Sequence, residues 1–487
     1  MEYAAGAPSP ARRRRRRARP AGAGREREGS DAMASGAGLG TARAAAAGRG
    51  AATRRAWLAL PLLGVAAAAC GGGGAAATGQ AEAAPVTLDW WNETDMDQPA
   101  EEAIKADWAQ RFPRITLQPT KVPYGDYTKK ILTVLVADTA PDVTYTHQDW
   151  TATFAQKRVV APLDELVKRD RTLKLSDYYP AAIDFQRWGG KLYGLSWIME
   201  GSTLFYNRNL IEQAGLEDPN ALDKRGQWTL ERFQDHLNRL ARLTVNQQRV
   251  WGWTQGVTGK MSSYLDTIWA FGAEALTPDG MKLALQSPPA VEALTWLVAN
   301  YQQRLTTAGD PDSRGVTVDT GRIGFVRANR LHFTLNDGGR WGNVYFPVGR
   351  NGKRAHRAGC SGHGIVAQSK KEAPAWELVK HLSQQGNRIA TARSFAVPLW
   401  PAVAESKEFA ATVRPFEDAA TFAQLGKTIK VMVPPPGLAA DSGIDGWQGY
   451  TAIAEQMNRV LAGQVTVKDA MEQAAKNCEQ IVAEAMR

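Results

Sequence analysis

The sequence has few cysteines, no apolar run of membrane-spanning length, and little net charge outside its first 69 residues. Three cysteines in 487 residues, Cys70, Cys360 and Cys478, are too few for a disulfide scaffold. The apolar run at 57–69 is too short to cross a ~30 Å hydrocarbon core. Residues 1–69 hold 13 arginines against four acidic residues, which leaves 46 basic and 45 acidic residues in the rest. This near-neutral remainder gives no support to a nucleic-acid partner.

Motifs of the common catalytic and metal sites are also missing. The segment GCSGHG at 359–364 has His363 where a GxSxG nucleophile elbow requires glycine. Cys360 and His363 are only two potential zinc ligands, and no HExxH or P-loop is present. We therefore predict no metal, no cofactor and no enzymatic activity. The carboxylate pairs of glycoside hydrolases need not be close in sequence, so a secreted carbohydrate-active hydrolase is the alternative.

The first 85 residues have the composition of a leader followed by a tether. Residues 1–50 are mostly Ala, Gly and Arg, which cannot bury enough surface to fold, and Met33 or a later codon is the expected start. Arg54 and Arg55 precede the apolar run, as in a signal peptide of the Sec or twin-arginine type. Ala-Ala-Ala-Cys70 resembles a bacterial lipobox, with Ala67 where leucine is usual. We predict a disordered leader and signal peptide at 1–69, a lipidated Cys70, and a flexible tether at 70–85.

The remainder alternates strand and helix patterns. Strands are predicted at 86–91, 115–122 and 140–146, with helices at 98–111 and 126–137 between them. Further helices are predicted at 228–244, 373–382, 447–461 and 466–485, and strands at 250–255, 331–335 and 362–368. Such alternation indicates right-handed βαβ units and an α/β fold. Between the two halves, 192–197 and 203–207 read as two short strands separated by Ile198-Met199-Glu200-Gly201.

Several motifs occur in the order found in one family. They are Ala140-Pro141-Asp142-Val143, Lys191-x-Tyr193-Gly194-Leu195, Tyr206-Asn207 followed by Ala214-Gly215, the SKK and AWE strings within 369–377, and Gly463-x-x-Thr466-x-x-x-Ala470. From about 86 to 484 the chain resembles the extracellular solute-binding proteins of bacterial ABC importers, in the group that includes maltodextrin-binding proteins. The resemblance implies a two-lobed periplasmic-binding-protein fold with discontinuous lobes, 86–197 plus 355–383 and 202–350 plus 388–487, joined by a three-segment hinge.

The resemblance also implies a function. A monomeric, exported lipoprotein, anchored to the outer face of the cell membrane through Cys70, would capture a carbohydrate or related polyol between its lobes. The lobes would close on the solute, and ABC permease subunits would receive it. No nucleic acid is involved. Whether Cys360 and Cys478 pair stays open at this point.

Tryptophan is unusually frequent and suggests which residues bind the solute. The chain has 16 tryptophans against 13 phenylalanines and 12 tyrosines. Indole rings stack on the C–H faces of sugars, while carboxylates accept hydrogen bonds from their hydroxyls. Core packing is the alternative for every tryptophan, and a structural role is the favoured alternative for His363. The predicted ligand-binding residues are Trp91, Glu93, Asp149, Trp150, Trp197, Glu200, Trp253, Trp269, Asp337, Trp341, His363 and Trp447.

Overall fold

The computed structural model describes residues 84–93, 98–255, 261–307, 316, 318–329, 340–392, 397–413, 418–438 and 448–487. All of them belong to one compact unit, Arg55–Arg487. The strands are β1 Val86–Glu93, β2 Ile115–Val122, β3 Val143–His147, β4 Arg187–Trp188, β5 Lys191–Leu192, β6 Leu195–Asn207, β7 Thr244–Val245, β8 Gln248–Arg249, β9 Trp251–Trp253, β10 Ile323–Asn329, β11 Trp341–Val344 and β12 Ala358–Ile365.

The helices of the first half of the chain are α1 Gln98–Arg111, α2 Tyr127–Val136, α3 Gln148–Gln156, α4 Asp164–Arg169, α5 Pro180–Asp184, α6 Arg208–Gln213, α7 Pro219–Lys224 and α8 Leu230–Leu240. Those of the second half are α9 Leu265–Ala270, α10 Pro288–Gln302, α11 Glu372–His381, α12 Asn387–Ala392, α13 Pro401–Ala404, α14 Lys407–Ala410, α15 Ala419–Thr428, α16 Gln448–Leu461 and α17 Val467–Ala485. The structure has α1 and β2 at their predicted bounds. Thr229 caps α8 by accepting a hydrogen bond from the peptide N–H of Arg232. The predicted strand at 331–335 lies outside the described residues.

One sheet runs through the described part of the molecule. Its strand order is β2-β1-β3-β12-β6-β10-β9, and β11 also pairs with β6. The strands β2, β1 and β3 are mutually parallel, β12 is antiparallel to both β3 and β6, and β10 is antiparallel to β6 and parallel to β9. Because β12 and β10 both pair with β6, this strand joins the two halves of the sheet.

The two short strands predicted around Ile198–Gly201 form a single strand of 13 residues, β6. The sequence suggested a break at Gly201, but hydrogen bonding continues on both sides of it. β12 pairs with 195–201, and β10 and β11 take over from Ser202 onward. The glycine serves packing instead, since a Cβ at Gly201 would lie 1.9 Å from the Leu425 side chain.

Two large hydrophobic cores lie along this sheet. The first core contains Leu88, Trp90, Trp108, Trp197 and Met199 with residues from α11, α12 and α15, and the second contains Leu204, Tyr206, Phe233 and Ile268 with residues from α10, α16 and α17. Two smaller clusters cover the opposite faces, one around Tyr127 and Trp150 and one around Phe205 and Trp341. Both faces of the sheet are thus covered, as expected for an α/β fold.

Three segments carry the chain between the two cores, the number expected for the predicted fold. They run from Met199 to Leu204 within β6, from Phe346 to Ala358, and from Leu425 to Leu438. The third differs from the predicted boundary at 383–388. The apolar side chains of Ala390, Val397, Leu399, Phe409 and Phe422 pack in the first core, so the described residues at 390–392, 397–413 and 418–425 lie with the first lobe and not the second.

The helix α15 connects the two cores behind β6. Its buried residues Phe422 and Leu425 belong to the first core. Its N-cap, Asp418, contacts the opposite side: the peptide N–H donates to Asn343 Oδ1 at 2.8 Å, and the carboxylate lies 3.3 Å from Lys224 Nζ. A single helix is therefore held by both lobes.

Candidate functional site

The carboxyl ends of β1 and β3 bring two predicted carboxylates to one edge of the sheet. Glu93 ends β1, and Asp149 lies in the first turn of α3, directly after β3. The two strands are parallel neighbours, with Trp91 opposite Thr144, and ligands bind at this edge in open α/β sheets. Both carboxylates are buried, Glu93 with 8% of its surface exposed and Asp149 with 7%.

His147 and Tyr124 border Asp149. The ring Nδ1 of His147 accepts a hydrogen bond from the Asp149 peptide N–H at 3.2 Å and lies 3.3 Å from the Tyr124 hydroxyl. The His147 ring also lies 5.5 Å from that of Trp150. Sequence reasoning did not single out His147 or Tyr124, although His147 immediately precedes Gln148-Asp149-Trp150 at the end of a strand. These contacts fix the position of the first turn of α3.

Glu200 reaches the same region from the crossing strand β6. It pairs with Gly359 on β12, and its Oε2 would lie 3.0 Å from a Cβ at that glycine. Burial raises the pKa of Tyr145 well above its ordinary value, and the negative charges of Glu200 and Glu93 raise it further. The register places Glu200 at the same edge of the sheet as the other two carboxylates, because Ser361, two residues after Gly359 on β12, pairs with His147 at the end of β3.

The second lobe approaches this acidic region through Tyr450. Burial raises the pKa of its hydroxyl well above the ordinary value, the charge of Asp149 raises it further, and Arg357 lowers it. Tyr450 lies in α16, whose neighbouring residues belong to the second core. Glu93, Asp149 and Glu200 thus lie at one edge of the sheet, and the charge of Asp149 acts on Tyr450 of the second lobe.

A basic group on the second-lobe side was missed by the sequence analysis. Arg327 in β10 donates from Nε to the carboxylate of Asp266 in α9, and the peptide N–H of Arg357 donates to the other oxygen of that carboxylate. The available signal was Arg327 itself, a charged residue inside the otherwise apolar strand IGFVRAN. Burial lowers the pKa of Arg327, the charge of Asp266 partly offsets this by raising it, and the charge of Arg357 lowers it.

Two of the predicted tryptophans lie close to the acidic region. Trp91 is half-buried, with its ring 6.4 Å from that of Tyr127 in an edge-on arrangement. Trp150 is fully buried in an aromatic cluster, 4.7 Å from Tyr124 and 5.3 Å from Tyr127 between ring centroids. Trp91 therefore has an accessible part of its ring for a ligand, whereas Trp150 supports the rings around it.

Three other predicted tryptophans are core residues, which corrects their assignment to the pocket. Trp197 lies in the first core with its ring 5.5 Å from His363, and Trp341 packs in the smaller cluster around Phe205. Trp253 lies in the second core, 5.1 Å from Phe233 and 5.8 Å from Trp296. Their strand positions suggested a place at the sheet edge, but each indole is packed against apolar neighbours of a core face instead.

His363 is also a buried structural residue, the alternative that the sequence analysis favoured. Its ring lies 5.8 Å from Trp90 and 6.0 Å from Tyr145, and its Nε2 is 3.4 Å from Asn92 Oδ1. Burial lowers the pKa of His363 to about 3, so the ring is neutral at physiological pH.

Trp269 lies beside the crossing segments instead of with the acidic group. The Lys430 ammonium is 5.4 Å from its ring centroid, and the ring lines a cavity of about 380 Å³ together with Asn351, Arg354 and Thr428. Asp337, Trp447 and Cys70 lie outside the described residues, so their predicted roles stay predictions.

The described residues show neither a metal centre nor a disulfide. Within these ranges, no group of three or more His, Cys, Asp or Glu side chains is arranged to hold a metal ion. Cys360 and Cys478 are both free and buried, in the first and second core respectively. No helix in the described part of the chain combines the length and apolar character needed to span a membrane.

Comparisons with known proteins agree with this architecture. A binding protein of Brucella abortus (strain 2308) is 24% identical over 299 residues, 58% of this chain and 68% of that protein. An ABC substrate-binding protein of Listeria monocytogenes, solved with cycloalternan, superposes with a TM-score of 0.66 at 20% identity, covering 81% of this chain and 98% of the other. The cyclic α-maltosyl-1,6-maltose-binding protein of Arthrobacter globiformis gives 0.67 at 18% identity, covering 82% and 100%.

These superpositions confirm the predicted two-lobed α/β fold. The family model of bacterial extracellular solute-binding proteins matches residues 90–388, which include the second half of β1, all of β6 and β12, and the carboxylates Glu93, Asp149 and Glu200. The chain belongs to the family of bacterial extracellular solute-binding proteins.

Proposed function

We propose that this protein binds a carbohydrate or related polyol between its two lobes and delivers it, unaltered, to the permease of an ABC importer. The observation that carries the proposal is the convergence of Glu93, Asp149 and Glu200 from three different elements beside Tyr450 of the second lobe. An ionised carboxylate accepts several hydrogen bonds, and sugar hydroxyls are suitable donors to it. Trp91 adds a half-buried indole face next to this group.

The ligands of structurally similar proteins support the substrate class. The Listeria protein was solved in complex with cycloalternan, and the Arthrobacter protein binds cyclic α-maltosyl-1,6-maltose; both ligands are oligosaccharides. A micromolar dissociation constant requires about −8 kcal/mol, which one or two stacked rings and several charge-assisted hydrogen bonds supply.

Titration of the purified protein with neutral oligosaccharides and polyols tests the proposal. We expect a saturable change in tryptophan fluorescence with at least one of them. Asp149→Asn should weaken that binding by about 1–3 kcal/mol, since the carboxylate becomes a poorer acceptor. Asp138→Asn is the matched control, because Asp138 is exposed in the turn after α2. Release of shorter saccharides from the ligand would contradict the proposal and favour the hydrolase.

The export and anchoring of the protein form part of the same proposal. The apolar run before Cys70 supports a signal peptide, and the small residues around Cys70 support lipidation of its thiol, with 71–85 as a tether to the outer face of the membrane. The folded part would act as a monomer. Metabolic labelling with a fatty acid should label the wild-type chain in its native host and leave Cys70→Ala unlabelled; equal labelling would refute the anchor.

A further inference from the structure

Two charged side chains, Asp266 and Arg327, meet at the second-lobe side of the proposed solute site, and the backbone of Arg357 joins them. Asp266 is almost fully buried, with 3% of its side chain exposed, and Arg327 is 9% exposed. One carboxylate oxygen of Asp266 accepts from Arg327 Nε and the other from the peptide N–H of Arg357. Both oxygens of this carboxylate are thus engaged, and neither is engaged by the Arg357 guanidinium.

The two arginines retain donors that nothing in the described part of the chain accepts. Arg327 Nη2 and Arg357 Nε are buried there without a hydrogen-bond partner. The two residues are linked through Asp266, which accepts from the Arg327 side chain with one oxygen and from the Arg357 peptide N–H with the other. Asp266 carries one negative charge against two guanidiniums, so these three residues taken by themselves have a net positive charge.

The group of Asp266, Arg327 and Arg357 lies next to the three acidic carboxylates but shares no residue with them. Arg357 precedes Gly359, which is opposite Glu200, and the charges of Arg357 and Asp149 both act on the Tyr450 hydroxyl. The acidic residues Glu93 and Asp149 come from the first lobe, and Arg327 with Asp266 comes from the second. Among the described residues, the first-lobe side of the site is therefore acidic, and the second-lobe side carries the arginines.

We propose that the solute carries an oxyanion, a carboxylate or a phosphate on the sugar, which binds between the guanidiniums of Arg327 and Arg357. This inference rests on the function proposed above and specifies its substrate class. A neutral hydroxyl satisfies a free N–H donor but leaves the excess charge, whereas an oxyanion does both, and planar guanidiniums suit its geometry. Asp266 positions Arg327, and the first-lobe carboxylates accept hydroxyls of the same ligand.

Calorimetric titration of the whole purified protein with matched ligands tests this proposal. The acidic probes are galacturonate, glucuronate and mannuronate as mono-, di- and trisaccharides. Their neutral counterparts are the corresponding saccharides of galactose, glucose and mannose, and the 1- and 6-phosphates of these three hexoses complete the set. We expect one acidic ligand to bind at least tenfold more tightly than its neutral counterpart, with an advantage that falls as salt is raised. The uronate and phosphate arms identify which oxyanion is recognised.

Two variants test whether the preference for an acidic ligand depends on Arg327 and Arg357. Arg357→Gln keeps a hydrogen-bond donor but removes a charge, so it should reduce the preference for the acid at least tenfold while neutral ligands change less than twofold. The double variant Arg327→Gln with Asp266→Asn should have the same effect without leaving an unpaired buried carboxylate. Arg350→Gln is the control, because Arg350 is exposed and pairs with Glu292.

The outcomes separate this inference from the proposed function. Neutral sugars that bind at least as tightly as their acidic counterparts would overturn the oxyanion site and leave the sugar-binding function standing. An acid preference that survives both sets of substitutions would also overturn the assignment to Arg327 and Arg357. Failure of every sugar, neutral or acidic, to bind would overturn the proposed function itself.

Discussion

Two histidines of this protein are buried where a positive charge would be poorly solvated. His363 lies between Trp90, Trp197 and Tyr145 in the first lobe, and burial lowers its pKa to about 3. His356 lies in the second crossing segment and contacts the third, with its Nδ1 2.7 Å from Thr428 Oγ1, and burial lowers its pKa to about 4. Each ring is neutral in the native state over the usual range of pH.

These two histidines predict a loss of stability in mild acid. In the unfolded chain their pKa returns to about 6.5, so below that pH the unfolded state binds protons that the native state does not. The free energy of unfolding therefore falls as the pH decreases from 6.5 toward 4, by about 2 kcal/mol per histidine at pH 5. Urea unfolding at pH 7 and pH 5 measures the difference.

A variant isolates the contribution of one ring. His363→Gln will lower stability at both pH values, but the loss between pH 7 and pH 5 should shrink by about 2 kcal/mol. An unchanged difference between the two pH values would show that His363 is protonated in the native state or contributes nothing to the pH dependence.

Individual residues were predictable where charge and position in a strand agreed. Glu93, Asp149 and Glu200 follow or interrupt strand patterns, and all three converge in the structure. The opposite case is shown by Trp197, Trp253 and Trp341. The sequence pattern predicts that each lies in or beside a strand, but it does not predict on which face of the sheet the indole packs. The pair of Arg327 and Asp266 was missed because its two members are 61 residues apart and only the packing of α9 on β10 brings them together.

At the scale of secondary structure elements, β12 is constrained by its position between β3 and β6. Its glycines allow the neighbouring backbones to approach: a Cβ at Gly362 would lie 2.4 Å from the Leu195 carbonyl oxygen, and one at Gly364 would lie 2.6 Å from the Tyr193 carbonyl oxygen. The glycine-rich string at 359–364 is thus explained by close packing in the middle of the sheet.

Gly362→Ala should lower the free energy of unfolding by at least about 2 kcal/mol, because a backbone carbonyl cannot move aside as a side chain does. The comparison is Gly125→Ala, at an exposed site where a Cβ would meet no atom within 4 Å. This control should change stability by no more than about 0.5 kcal/mol. Equal urea midpoints for the two variants would contradict the packing interpretation.

Elements with a strong local pattern, such as α1 and β2, were predicted to the residue. β6 was not, since Gly201 looks like a strand break when only local preference is considered. Its continuity comes from pairing with β12 up to Gly201 and with β10 and β11 from Ser202 onward. These partners lie more than 100 residues away in the chain. Long-range pairing of this kind is not encoded in the segment itself.

The whole molecule has two cores, yet its parts are not independent. β6 contributes Trp197 and Met199 to one core and Leu204 and Tyr206 to the other. α15 packs in the first core while its cap, Asp418, contacts Asn343 and Lys224. The third crossing could not be located from sequence, because only long-range packing shows that the described residues at 397–413 and 418–425 join the first core.

We therefore expect urea to unfold the two lobes together. Tryptophan fluorescence and far-UV circular dichroism should give one transition with coincident midpoints, because β6 cannot lose its pairing in one lobe without weakening the other. A ligand bound between the lobes should move this single midpoint upward. Two separate transitions, or a ligand effect on only one of them, would contradict the coupling.

The course of β6 also limits how this protein can be divided. A gene fragment that encodes one half alone must omit part of β6, on which both halves of the sheet are built. Without that part, peptide groups on β12, or on β10 and β11, would have no hydrogen-bonding partner strand. Biosensor designs that split the polypeptide into two reassembling pieces therefore need their cut elsewhere, in the surface loops, with the thirteen-residue strand kept intact on one piece.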